Sequence, residues 1–248
     1  MKNELIYGIN PVKEALLGKR RAFELFVARG GQDKRLERIT SLAQERGVPI
    51  RQREKADLLR LCGTEHHQGV ALVMEPFPYG ELEDHLEGWQ SLTGNGLILV
   101  LDGIQDPHNL GALVRSAACA GALGVIIPKD RAAGVTATVE KSSAGAVETI
   151  PVIQVTNLAQ TIDSLKDAGF WSYGLAGDAS ATIYSQKLAG KVALVVGGEG
   201  EGIRQLVRKK CDVLVSIPLR GGVSSLNASV AGGIAMFEVV RQQSAPLK

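Results

Sequence analysis

From residue 97 onward the chain alternates short, almost wholly apolar stretches with segments of helical periodicity. The apolar stretches fall at 97–101, 125–128, 149–155, 171–176, 192–196 and 213–217, and the helical spacing at 109–122, 136–146, 158–168, 202–210 and 225–243. Strands without polar alternation must be covered on both faces, and helices between them supply the cover. The pattern predicts an α/β unit on a parallel sheet.

The first 75 residues have a different rhythm. Asn10-Pro11 opens a helix through Leu17, with proline in the first turn where its missing N–H does no harm. Residues 33–46 place Leu36, Ile39, Leu42 and Ala43 at helical spacing before Gly47. Strands are expected at 24–28, 48–51 and 69–74, with 55–62 helical. Pro76, Pro78 and Gly80, then four acids and no base, lead to Thr93-Gly94-Asn95-Gly96, which reads as a linker over 76–96. Two domains follow, 1–75 and 97–248, both α/β.

Charge separates the same segments. Residues 1–75 hold 14 Lys/Arg against 10 Asp/Glu, and 97–248 hold 14 against 12. A basic N-terminal unit suits a phosphate backbone, although this excess is also compatible with ordinary surface charge. No apolar run approaches the ~18 residues of a membrane helix, and the N-terminus lacks a signal-like apolar stretch, so a cytoplasmic protein is expected. Cys62, Cys119 and Cys211 are far apart and the four histidines lack ligand spacing, so neither a disulfide framework nor a metal site is expected. Cys119 reads as packing on an apolar helix face, and His66-His67 as a surface pair.

Glycines narrow the ligand. Val195-Val196-Gly197-Gly198-Glu199-Gly200-Glu201-Gly202 runs from a strand into a turn that lets backbone approach a ligand closely. A dinucleotide fingerprint would need glycine where Ile203 or Gln205 stands, and Gly18-Lys19 and Gly190-Lys191 lack the Ser/Thr of a P-loop. Two carboxylates in the turn would repel a pyrophosphate. The turn therefore suits a ligand that is neutral or cationic at this point. Two further polar stretches, 102–111 and 217–227, also sit at strand ends, where ligands of parallel sheets bind.

Together, DPHNLGALVRSA (106–117), GGEGEG (197–202) and IPLRGGVSSLNASVA (217–231) closely resemble the three motifs of SpoU-type RNA ribose 2′-O-methyltransferases, in order and spacing. Tyr7-Gly8-Ile9-Asn10-Pro11-Val12 and His67-Gln68-Gly69-Val70 resemble the small RNA-binding domain of the rRNA branch, in particular the guanosine-methylating enzymes of 23S rRNA. The resemblance implies a trefoil-knotted catalytic domain over 97–248, a homodimer, and S-adenosylmethionine held largely by Gly197, Gly198, Ile217 and Leu226. It assigns Arg115 as the catalytic arginine and Asn109, Glu199, Ser225 and Asn227 as the polar group around it.

Each residue also has a local reading. Arg115 alone is a solvated helix residue, Asn109, Ser225 and Asn227 are potential helix caps, and Glu199 could serve backbone donors in its turn. The runs Lys19-Arg20-Arg21 and Arg208-Lys209-Lys210 are solvated faces or phosphate contacts. A tRNA-directed 2′-O-methyltransferase and a catalytically idle RNA-binding assembly factor are the competing functions.

Overall fold

Strand pairing in the N-terminal part is mixed in the computed structural model, which describes residues 3–30 and 34–244. β1 (Glu4–Tyr7), α1 (Ile9–Leu17), β2 (Ala22–Ala28), α2 (Lys34–Glu45), β3 (Ile50–Arg53), α3 (Lys55–Cys62) and β4 (Val70–Met74) follow one another. The four strands form a sheet in the order β1-β4-β2-β3, in which only β2 and β3 run parallel. Leu25 turns to a face covered by Leu16, Leu36 and Ile39 of the two longer helices, while neighbouring Phe26 packs with Leu58 of α3. That is the alternation a strand imposes.

Four details depart from expectation. β1 is too short for its periodicity to register, and β3 starts at Ile50 because the Val48 N–H closes the preceding helix on the Ala43 carbonyl. Residue 33 of the expected helix lies outside the described residues. His67 is buried, with Nδ1 accepting the Gly69 N–H at 3.0 Å. Arg20 is buried too: its guanidinium donates to Glu4 at 2.6 Å and to Glu140 at 2.8 Å, so it is unavailable to phosphate.

By its contacts the chain divides into two units, Met1–Pro78 with Val135–Lys141, and Tyr79–Gly134 with Ser142–Lys248. The second contains α4 (Glu83–Ser91), β5 (Gly96–Asp102), α5 (Pro107–Cys119), β6 (Gly124–Pro128), β7 (Val152–Val155), α7 (Leu158–Asp167), β8 (Trp171–Leu175), β9 (Lys191–Gly197), α8 (Gln205–Lys210), β10 (Val213–Val215) and α9 (Ala228–Ser244); α6 (Ala137–Ser142) precedes β7. Its six strands are all parallel, in the order β10-β8-β9-β5-β6-β7. β5 is buried along its whole length. Ile98 and Val100 face a core shared with Ile162 and Leu165 of α7, and α5 and α9 pack on one another, with α9 also against β9.

The expected linker 76–96 is not free chain. α4 packs Trp89 into the core beside Phe170, with ring centroids 6.3 Å apart. Helix 136–146 stops at Ser142 because Ala144 and Gly145 take positive φ, and β7 waits until Val152, after Pro151. Cys119 is exposed rather than packed. Among the described residues no helix is long and apolar enough to cross a membrane.

Candidate active site

β5 and β9 run in register from Gly96 opposite Lys191 to Asp102 opposite Gly197. From this pair the chain builds outward in both directions, β6 and β7 on one side and β8 and β10 on the other. A crevice opens beyond the carboxyl ends of strands at such a switch point. To the β8 side of that pair, at the carboxyl ends of β8, β9 and β10, lies a cleft of about 480 Å³, walled by residues 175–177, the turn after β9, residues 215–217 and residues 224–228 at the entry to α9. Gly197, Gly198, Ile217 and Leu226 all line it, as do Ser225, Glu199 and Asn227. Glu199 is the one charged side chain among the described lining residues.

The turn needs its glycines for its own closure. A Cβ on Gly197 would stand 2.1 Å from the Gly202 carbonyl carbon, and one on Gly198 would stand 2.3 Å from the Gly103 carbonyl oxygen. Close approach to a ligand, the reason read from the sequence, is therefore secondary to chain against chain. The turn is pinned by the Gly202 N–H donating to the Gly198 carbonyl at 3.1 Å and the Gly198 N–H to the Asp102 carbonyl at 2.9 Å.

Asp102 was absent from the expected site. Its fully buried carboxylate accepts the Arg204 main-chain N–H at 2.7 Å and the Arg204 guanidinium at 2.6 Å. A carboxylate ending an otherwise apolar strand is the signal that marks it, since buried acids are nearly always paired.

Three motif residues meet at the mouth of the cleft. Asn109 Nδ2 donates to Glu199 Oε1 at 2.7 Å, and Asn227 Nδ2 donates to the same oxygen at 2.7 Å and to Asn109 Oδ1 at 3.0 Å. Asn109 is buried and is not a cap: Asp106 caps α5 by accepting the His108 N–H at 2.9 Å. Asn227 is both cap and site member. Its Oδ1 accepts the Ser229 and Val230 N–H groups at 2.9 and 3.3 Å while its amide nitrogen faces Glu199. This is why α9 begins at Ala228, later than its periodicity suggests.

Ser225 lies on the cleft wall and caps nothing, because the cap is Asn227. Arg115 stands apart. It is exposed on α5, six residues and therefore about 240° around the helix from Asn109. It forms no ion pair or hydrogen bond among the described residues and is not part of the cleft lining. Of the second basic run, Arg208 is paired with Asp178 and Lys210 with Asp163.

A cleft with glycine backbone on one wall, no basic side chain and one carboxylate is poorly suited to phosphates. It fits a cationic sulfonium attached to a neutral nucleoside, the chemistry of S-adenosylmethionine.

Residues 96–237 match the SpoU rRNA Methylase family, and residues 5–80 match the family of RNA 2′-O ribose methyltransferase substrate-binding domains. A 23S rRNA (guanosine-2′-O-)-methyltransferase, RlmB, of Xanthomonas campestris is 46% identical over 246 residues, 98% of each chain. The RlmB of Vibrio vulnificus is 45% identical over 247 residues, 99% of each chain. The SpoU methyltransferase AviRb of Streptomyces viridochromogenes, solved in complex with AdoMet, shares the fold with a TM-score of 0.62 at 24% identity, covering 97% of this chain and 90% of that one.

Proposed function

The chain belongs to the SpoU rRNA Methylase family, and from that premise we propose that it methylates the ribose 2′-hydroxyl of a guanosine in 23S rRNA, with S-adenosylmethionine as donor. The observation that carries this reading is the joining of Asn109, Glu199 and Asn227, one from each motif, at the mouth of a cleft without basic side chains. An assembled site also argues against an idle assembly factor. Against a tRNA substrate stand the substrate-binding match over residues 5–80 and the full-length similarity to the rRNA enzymes.

When bound, the donor supplies an electrophilic methyl group on a positively charged sulfur. Backbone at Gly197, Gly198, Ile217 and Leu226 would hold it. The two asparagine amides keep the Glu199 carboxylate fixed beside it, with Ser225 on the same wall. Alignment of reacting groups alone can lower a barrier by ~7–11 kcal/mol. Arginine is a poor base because its pKa exceeds ~12. Arg115 therefore acts as a clamp on the phosphate beside the target ribose or on the nascent alkoxide.

Arg115 points away from Asn109 of its own chain, which favours a site completed across a homodimer. Val230 and Phe237, two helical turns apart on α9, are exposed apolar side chains on one face, as a subunit contact requires. Residues 1–75 serve as the RNA-binding unit of a cytoplasmic enzyme. A trefoil-knotted catalytic domain over 97–248 belongs to the same reading; what supports it is that turn 197–202, the end of β10 and the entry to α9 line one cleft, with β10 beside β8. The test is to map 2′-O-methyl sites in unmodified 23S rRNA after incubation with the protein and donor. One new methylated guanosine is expected, and methylation confined to tRNA would overturn the rRNA assignment.

A further inference from the structure

The turn 197–202 has a second side. Beyond it lies another hollow, of about 520 Å³, between the loop that follows β5 and Arg131. Gly198, Glu199 and Gly202 line both hollows, so the partition between them is a single turn of chain, and Asn109 reaches the second. A nucleotide whose ribose sits at the Asn109–Glu199 pair has this hollow within reach for its base.

The hollow's charges can be sorted by elimination. The Asp102 carboxylate is taken up by Arg204, Asp106 caps α5, and Glu199 is held by the two asparagine amides. Glu201 forms no ion pair or hydrogen bond among the described residues, and the same is true of Arg131. What remains is one unengaged carboxylate and one unengaged guanidinium lining the same space. A base that satisfies both must carry adjacent N–H donors on one edge and adjacent acceptors on another. Guanine does: N1–H and N2–H₂ match a carboxylate, and O6 with N7 match a guanidinium. Adenine offers the carboxylate no donor, having an acceptor at N1 and only C2–H beside it, and it sets a donor at N6 where the guanidinium needs an acceptor.

We infer that this hollow is the base pocket of the target guanosine, with Glu201 reading N1–H and N2–H₂ and Arg131 reading O6 and N7. The inference rests on the guanosine 2′-O-methylation reading above, and its test separates the two.

Full-length protein without donor is titrated with guanosine 5′-monophosphate and with inosine 5′-monophosphate, which lacks the N2 amine, and followed by NMR. Guanosine monophosphate should shift the resonances of residues 131 and 201. Glu201→Ala should weaken it about 10-fold and inosine monophosphate, which keeps N1–H but has no N2 amine to lose, by distinctly less. In single-turnover methyl transfer to a short RNA carrying the mapped target, replacing that guanosine by inosine should cost wild type about 10- to 100-fold. The same replacement should cost Glu201→Ala almost nothing further. Losses that multiply, equal weakening of both nucleotides by Glu201→Ala, or no shifts at 131 and 201 would overturn the pocket. If wild type methylates no guanosine, the parent reading fails, and the nucleotide titration still decides the pocket.

Discussion

Asp102 and Arg204 are joined through both main chain and side chain, the buried carboxylate accepting the Arg204 N–H at 2.7 Å and its guanidinium at 2.6 Å. The same Asp102 offers its carbonyl to Gly198, so one residue at the end of β5 anchors both ends of the glycine turn. Arg204→Ala strands a buried charge. It should cost about 3 kcal/mol, near the low end for such losses because the Arg204 side chain is 39% exposed. Urea denaturation measures the stability, and a calorimetric titration should show weakened donor binding. Unchanged stability and affinity would mean the pair does not hold the turn.

Gly197→Val should abolish donor binding, because a side chain there collides with Gly202 and opens the turn. The N-terminal unit, with its own cores, should keep its structure. Calorimetry reads the first effect and circular dichroism the second.

The two jobs of Asn227 can be separated. Asn227→Ala should lose both the cap, about 1 kcal/mol, and the amide that faces Glu199. Asn227→Ser retains a capping oxygen but no amide donor. It should restore most of the melting temperature while turnover stays low. Equal recovery of both would reduce Asn227 to a helix cap.

For Arg115, lysine distinguishes clamp from base. Lysine keeps the charge but lacks the planar fork, and it releases its proton far more readily, at about 10.4 against more than ~12. A clamp predicts low activity for Arg115→Lys with a nearly flat profile from pH 7 to 10. Activity that climbs steeply toward pH 10 would mark a base. Donor affinity should be unchanged in Arg115→Ala, since Arg115 lies outside the cleft lining.

Burial pushes the Cys211 thiol up to about 12, from an ordinary value near 9. It should resist alkylation at pH 8, when exposed Cys119 is modified. An acid whose folded pKa is raised contributes stability that is complete below about pH 9 and lost as pH rises toward 12. The stability difference between wild type and Cys211→Ala should shrink over that range.

The sheet was legible because its strands are apolar on both faces, so their hydrophobicity survives without a tertiary context. α4 was not, since only Leu86 and Trp89 on its length contact the core while three acids, His85, Gly88, Gln90 and Ser91 fill the rest. Helix starts were misplaced where a backbone device overrides periodicity. Gly202 at positive φ and extended Arg204 delay α8, and the Asn227 cap delays α9. The three motif residues at Glu199 could be named from the sequence but their mutual hydrogen bonds could not. Asp102 and Arg204 are 102 positions apart, and neither sits at a tell-tale spacing from the other. The direction of Arg115 follows from helix geometry once α5 is set in place, not from the motif that contains it.

The hydrogen bond from Asn227 to Asn109 spans 118 residues, and it reaches almost to the last helix of the chain. On the ribosome, Asn109 and Glu199 are both made before Asn227, so for a time the growing chain has the glycine turn without its third partner. The bond from motif to motif can close only once Asn227 itself has been made and brought back against α5, which makes it one of the last long-range contacts of the site to form.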